Sequence, residues 1–177
     1  MDRNELARKI FRVSHLTGSF KLRSGQISNE YFDKYLFESD PELLNEIGTH
    51  LSKLIPEGTE ALAGLEMGGI PIATILSART NIPAVFVRKK AKDYGTCKLA
   101  EGVDVANKKV CVIEDVVTTG GQIILSTNDL KHLGARIEYV LCVIERDKKG
   151  RDNLKKEGLE LLSLFTMDEL KSSEVAK

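Results

Sequence analysis

Apolar residues along the chain fall into two rhythms, and the places where one gives way to the other mark out the elements. Leu6, Ile10 and Val13 recur at helical spacing, which predicts a helix over 4–15 with one apolar face. Residues 20–25 then alternate apolar with polar and end in a turn glycine, and an aromatic-rich stretch over 27–37 follows, so a β-hairpin is expected. Asp40-Pro41 supplies a capping acid and a proline at the first helical position. Leu44, Ile47, Leu51 and Leu54 continue that helix until Pro56-Glu57-Gly58 stops it. Short apolar runs come next, at 61–65, 84–87, 110–113, 137–144 and 159–165. Runs without alternation suit strands buried on both faces, as in a parallel sheet covered by helices. Helices are expected between them, one ending near Arg79 and one over 123–133 with Gly134 as its C-cap. Residues 148–158 read as a polar connection or short helix, and 172–177 as a tail that frays. The fold class is therefore α/β.

Polar chemistry collects where the apolar runs stop. Val110 to Ile113 halts at Glu114 and Asp115, and Val116 and Val117 lead into Thr118, Thr119, Gly120, Gly121 and Gln122 at the start of the next helix. Hydroxyls, free backbone N–H groups and flexible glycines stand where the helix dipole favours an anion. The stretch reads as a phosphate cradle with two acids at its entrance. A plain strand-to-helix connection would need no paired acids at a buried strand end. The cradle also lacks the Lys-Ser/Thr ending of a nucleoside triphosphate loop and the G-x-G-x-x-G of a dinucleotide fold. Acids accept from sugar hydroxyls while the loop donates to phosphate, so a ribose 5-phosphate fits.

Three more strand ends carry comparable signals. Leu65 is followed by Glu66-Met67-Gly68-Gly69, whose glycines let backbone approach a ligand closely. Val87 is followed by Arg88, Lys89, Lys90 and Lys92, and no periodicity appears from there to Lys108. Loops that long are usually functional or disordered. Ile144 is followed by Glu145, Arg146 and Asp147. If the sheet is parallel, all four ends face one crevice.

Composition narrows the partners. With 177 residues, 42% of them hydrophobic, the chain suits one domain over 1–177. Lys plus Arg and Asp plus Glu both number 26, so no net charge recruits nucleic acid. The polar start and the lack of an apolar run near the roughly 20 residues needed to span a bilayer point to a cytoplasmic protein without membrane attachment. Cys97, Cys111 and Cys142 read as core or incidental thiols, and the scattered histidines as structural, so no metal site built from protein side chains is expected.

The stretch 110–122 resembles the signature of the type I phosphoribosyltransferases, which bind phosphoribosyl pyrophosphate (PRPP). Phe20-Lys21-Leu22-Arg23-Ser24-Gly25, with Ser28 and Tyr31, is similar to a motif of the orotate phosphoribosyltransferases within that family. Arg88, Lys89, Lys92 and Tyr94-Gly95, with Glu101-Gly102 beyond, resemble the same group's mobile catalytic loop. The likeness spans roughly 20–146, with its motifs in the family's order.

The resemblance implies a twisted, mainly parallel sheet flanked by helices, a small N-terminal hood mainly from 1–40 and a mobile loop over about 89–108. It implies transfer of a phosphoribosyl group to orotate with magnesium, in a homodimer whose subunits share active sites. Lys92, Arg88 and Asp115 are the implied catalytic residues. The implied PRPP site comprises Arg23, Arg88, Lys89, Lys92, Tyr94, Glu114, Asp115, Val116, Val117, Thr118, Thr119, Gly120, Gly121 and Gln122. Arg23, Tyr31, Phe32, Thr118 and Arg146 would meet orotate. Magnesium would be held mainly through PRPP and water. Gly68 stands where some relatives carry lysine, and Tyr94 where some carry histidine. A phosphoribosyltransferase for another base, or a non-catalytic PRPP-sensing regulator of the same fold, stays open as an alternative. The balanced charge and the complete lysine loop weigh against the regulator.

Overall fold

The computed structural model of the chain describes residues 1–22, 25–91 and 98–175. Helix α1 (Arg3–Ser14) leads into a hairpin of β1 (His15–Lys21) and β2 (Ile27–Phe32), followed by α2 (Lys34–Glu38) and α3 (Pro41–Leu51). The α/β body continues with β3 (Ala61–Leu65), α4 (Gly69–Thr80), β4 (Ala84–Val87), β5 (Ala100–Gly102), β6 (Lys109–Val117), α5 (Gly121–His132), β7 (Arg136–Glu145), α6 (Lys148–Lys156), β8 (Glu160–Thr166) and α7 (Met167–Val175). The six-stranded sheet has the order β5-β4-β3-β6-β7-β8. All neighbours are parallel except β4 and β5. The hairpin forms a two-stranded sheet of its own.

The unbroken apolar runs are explained by two cores, one on each face of the sheet. Along β6, Cys111 and Ile113 pack with Leu6, Ile10, Phe37, Ile47, Ile72 and Leu170 from the helices of one side. Val110 and Val112 pack with Ile123, Leu130 and Leu154 on the other. Successive side chains point to opposite faces of a strand, so a strand covered on both sides needs apolar residues at every position.

Several boundaries depart from the sequence pattern. Strand β6 does not stop at the carboxylates but runs through Glu114 and Asp115 to Val117, pairing with β7 as far as Glu145. Within the aperiodic stretch, Ala100–Gly102 forms the antiparallel edge strand β5, too short to show a period. Residues 34–38 turn into a helix instead of extending the hairpin, with Asp33 accepting from the Tyr35 N–H as its cap. Of the tail expected over 172–177, residues 172–175 belong to α7, which continues to Val175, and 176–177 lie outside the described residues. Leu170 anchors that helix in the core, while Arg3 donates to the Leu164 carbonyl and pairs with Glu169 at 2.8 Å.

Caps divide the helices into two groups. Asp2, Asp33, Asp40 and Asp147 accept backbone N–H bonds at the starts of α1, α2, α3 and α6. Helices α4 and α5 begin at Gly68 and Gly120 with no side-chain cap. Their first N–H groups have no partner from a capping side chain, and both starts lie at the C-terminal ends of strands β3 and β6.

Candidate active site

The carboxyl ends of β3, β4, β6 and β7 stand side by side, as the pattern of strand ends anticipated. At the end of β3, the Glu66 N–H donates to the Val87 carbonyl at 2.8 Å, and the Glu66 side chain accepts from the Lys89 N–H at 2.6 Å. Arg88 donates its own N–H to Leu99 at 2.9 Å, with its guanidinium 4.0 Å from Glu101. The turn after β3 is thereby tied to the first cations after β4.

The cradle after β6 is held by the neighbouring β7 and α6. The Arg146 N–H donates to the Val117 carbonyl at 2.8 Å, and Asn153 Nδ2 donates to the Thr119 carbonyl at 3.1 Å. A side chain at Gly150 would run into the Thr118 carbonyl and the Val117 side chain, so α6 lies directly on the loop. Gly120 has φ +75°, a conformation glycine adopts without strain, and it opens α5. Asn153 and Gly150 carried no sequence signal, since their contact depends on how α6 docks.

The two acids part company. Asp115 is completely buried and ion-pairs with Lys34 of α2, whereas Glu114 is half-buried and accepts from the Asp115 N–H at 3.1 Å. Glu38, one turn after Lys34, is 7% exposed, with its Oε1 unpartnered, and faces Asp115 across Gly68. Any side chain at Gly68 would overlap the Asp115 carboxylate, and its Cβ would lie 2.9 Å from Glu38 Oε1.

These groups set each other's charge. Burial, reinforced by the neighbouring Asp115, pushes the Glu38 carboxyl up to about 9. Burial likewise pushes Glu114 well above the usual carboxylate range. Burial also opposes ionisation of Asp115, but the neighbouring Glu114, Lys34 and Glu38 together outweigh it and hold Asp115 low. Burial disfavours the Lys34 ammonium, yet Asp115 more than compensates and Lys34 is raised. Asp115 is thus favoured in its charged form beside the Lys34 ammonium, while Glu38 and Glu114 are pushed towards their protonated forms.

Beside this floor, the hood encloses a cavity of ≈ 520 Å³ lined by His15, Glu30, Tyr31, Phe32, Arg146 and Lys171, among others. Tyr31 packs its ring 5.6 Å from Phe20 and is exposed, while Phe32 is buried in the core and lines the cavity from there. His15 stacks on Phe11 and pairs with Glu30 at 2.9 Å. His15 and Lys171 escaped the sequence reading because the first lies at a helix-to-strand junction and the second on the unanticipated α7. A larger cavity, ≈ 690 Å³ beside Glu138, Arg151 and Leu161, opens at the starts of β7 and β8. It lies away from the strand ends at which open α/β sheets bind ligands.

The structure thus brings together Arg88, Lys89, Glu114, Asp115, the 116–122 loop and Arg146, with Tyr31 and Phe32 on the adjoining hood. Arg23, Lys92 and Tyr94 lie outside the described residues.

Residues 38–168, well over half of the chain, match the family of the phosphoribosyl transferase domain, and the chain belongs to that family. Its relatives include the orotate phosphoribosyltransferase of a Nocardioides species, 52% identical over 171 residues that cover 97% of this chain and 96% of the other. That of Methanocella arvoryzae is 44% identical over 86% of this chain and 87% of its own. Among solved structures, orotate phosphoribosyltransferase from Mycobacterium tuberculosis H37Rv in complex with PRPP superposes with a TM-score of 0.82 at 26% identity, covering 97% and 99% of the two chains. The same enzyme in complex with Fe(III) dicitrate gives 0.87 at 29% identity, covering 96% and 99%.

Proposed function

We propose that this chain transfers the phosphoribosyl group of PRPP to a ring nitrogen of orotate, forming orotidine 5′-monophosphate and diphosphate, a step of pyrimidine biosynthesis. The observation that carries this reading is the crevice itself. Two uncapped helix starts flank the fully buried Asp115, which is ion-paired with Lys34, and an Arg146-lined cavity adjoins them. A sugar bearing phosphate at both ends, next to a planar anionic ring, matches that order of donors and acceptors.

In this reading the backbone of 117–121 and the hydroxyls of Thr118 and Thr119 take the 5′-phosphate, supported by Val116 and Gln122. Asp115 and Glu114 take the ribose hydroxyls. The negative charge on Asp115 also favours positive character at the anomeric carbon as the leaving group departs. Arg88 and Lys92, with Lys89 of a second copy, neutralise the diphosphate, and Tyr94 hydrogen-bonds it. The donor is taken up as its magnesium complex. The ion in that complex is held mainly by phosphate oxygens and water. Once bound, the ion would add charge neutralisation at the leaving group. The planar fork of Arg146 pairs with the orotate carboxylate, and Arg23, Tyr31, Phe32 and Thr118 complete the base site.

A homodimer sharing its sites, as the likeness of the 88–102 stretch to the family's catalytic loop implies, completes the proposal. No helix among the described residues is long and apolar enough to cross a membrane, and a cytoplasmic location accords with this. The test is loss of orotate absorbance with PRPP and magnesium, run beside uracil, hypoxanthine and adenine. Consumption of orotate alone is expected. A folded protein that turns over another base, or none, would overturn the reading.

A further inference from the structure

The turn over 66–69 opens the uncapped helix α4 and is tied to Lys89, which puts it on the diphosphate side of the proposed donor site, and there it has an electrostatic problem. Its backbone donates, but the Asp115 carboxylate presses on Gly68, with Glu38 Oε1 beside it and Glu66 opening the turn. Gly68 cannot relieve the crowding with a cation of its own, because any side chain there would fall on the Asp115 carboxylate. The charge comes instead from the hood. Lys34 places its ammonium on Asp115 Oδ2, the oxygen that presses on Gly68. Among the described residues it is the cation that the structure pairs with this carboxyl cluster.

An ammonium has three donors, and one ion pair does not use them all. About a third of the Lys34 side chain stays exposed, with Nζ 5.2 Å from the ring centre of Tyr35, so the head is held from behind and open on one side. Glu38 Oε1, buried and without a partner, lies by the same turn. A polar atom that deep is costly unless a ligand or water meets it.

We propose that Lys34 is a further donor-binding residue: its ammonium neutralises Asp115 and, from the same position, hydrogen-bonds the diphosphate end of PRPP across the 66–69 turn. This rests on the reading of the crevice as a PRPP site. It assigns a substrate contact to α2, the short helix that joins the hairpin to α3. Asp115 thus keeps its charge for the ribose hydroxyls without presenting it, unbalanced, to the diphosphate.

The experiment measures, by titration calorimetry on the complete chain, the affinities for inorganic diphosphate with magnesium and for ribose 5-phosphate. Lys34→Met should weaken diphosphate at least fivefold while ribose 5-phosphate changes less than threefold, and Lys34→Arg should stay within threefold of the parent for both. In kinetics the loss should fall on the KM for PRPP more than on kcat. A smaller loss of diphosphate, or parallel losses of both ligands, would overturn the proposal. Should Lys34→Met fail to fold because Asp115 is left unpaired, the same substitution in an Asp115→Asn background decides. A contact with the donor still costs at least fivefold there, whereas a role confined to neutralising Asp115 vanishes. If the parent protein binds neither probe, the PRPP reading itself fails and takes this inference with it.

Discussion

The floor of the crevice and its hood are built to opposite specifications. The floor is the C-terminal rim of a sheet with a core on each face. Val112, Ile113, Leu141 and Val143 beneath it are completely buried, and backbone bonds lock the rim strand to strand. The hood is a two-stranded hairpin in a sheet of its own, with Ile27 66% and Tyr31 43% exposed. A lone hairpin is marginal in water and depends on what it packs against. In the proposed function the donor's 5′-phosphate and ribose are therefore met by groups that cannot easily move, and the base by a wall that can adapt. Asp115 and Lys34 are the exception, an ion pair between a buried carboxylate and a part-exposed ammonium that joins the two regions. If the division is real, substitutions in the floor should damage chemistry with any base, and substitutions facing the hood should damage base recognition alone.

The largest effect is expected at Asp115. Asp115→Asn keeps the shape but removes the charge opposite the anomeric carbon and leaves Lys34 unpaired. Turnover per KM should fall by about a hundredfold or more, on the scale of losing one preorganised electrostatic group. Steady-state kinetics check it, and a fall of less than about tenfold would remove Asp115 from the chemistry. Arg146→Ala comes next. Losing one charge-assisted hydrogen-bonding fork costs about 1.5–3 kcal/mol, so the KM for orotate should rise roughly 10- to 150-fold. Comparable losses in PRPP binding would break the comparison.

The smallest effect concerns stability and pH. The Glu38 carboxyl is pushed up to about 9 in the fold, from an ordinary 4.5. Its folded form holds a proton that the unfolded chain has released, so its contribution is complete below about 4.5 and is lost as pH rises towards 9. Glu38→Gln imitates the protonated acid at every pH. It should raise the melting temperature at pH 8 by a few degrees, on the order of 1 kcal/mol, with the gain fading towards pH 5. Thermal denaturation across that range checks the sign. An unchanged or lower melting temperature at pH 8 would mean that Glu38 is ionised in the fold.

The floor was legible in the sequence, and the link between floor and hood was not. Buried parallel strands announce themselves as apolar runs, and the residues that close them, Leu65, Arg88, Glu114 and Ile144, marked the rim in advance. The exact stop of β6 was not legible, because Glu114 and Asp115 look like a strand end while backbone pairing with β7 carries the strand on to Val117. Strand β5 has three residues, too few for a period, and α7 gains its stability from α1 and Arg3 more than from its own pattern. Lys34 and Glu38 form the clearest case. They are four apart on a five-residue helix, a spacing that on its own reads as an exposed ion pair. Only the docking of α2 against β6 turns both towards Asp115.

The division between a donor floor and a base-reading wall is tested most directly by titrating PRPP with magnesium into the Arg146→Ala protein. A PRPP affinity within about threefold of the parent, in a protein whose orotate KM has risen at least tenfold, is the expected result. A PRPP affinity that falls in step with orotate recognition would contradict the division.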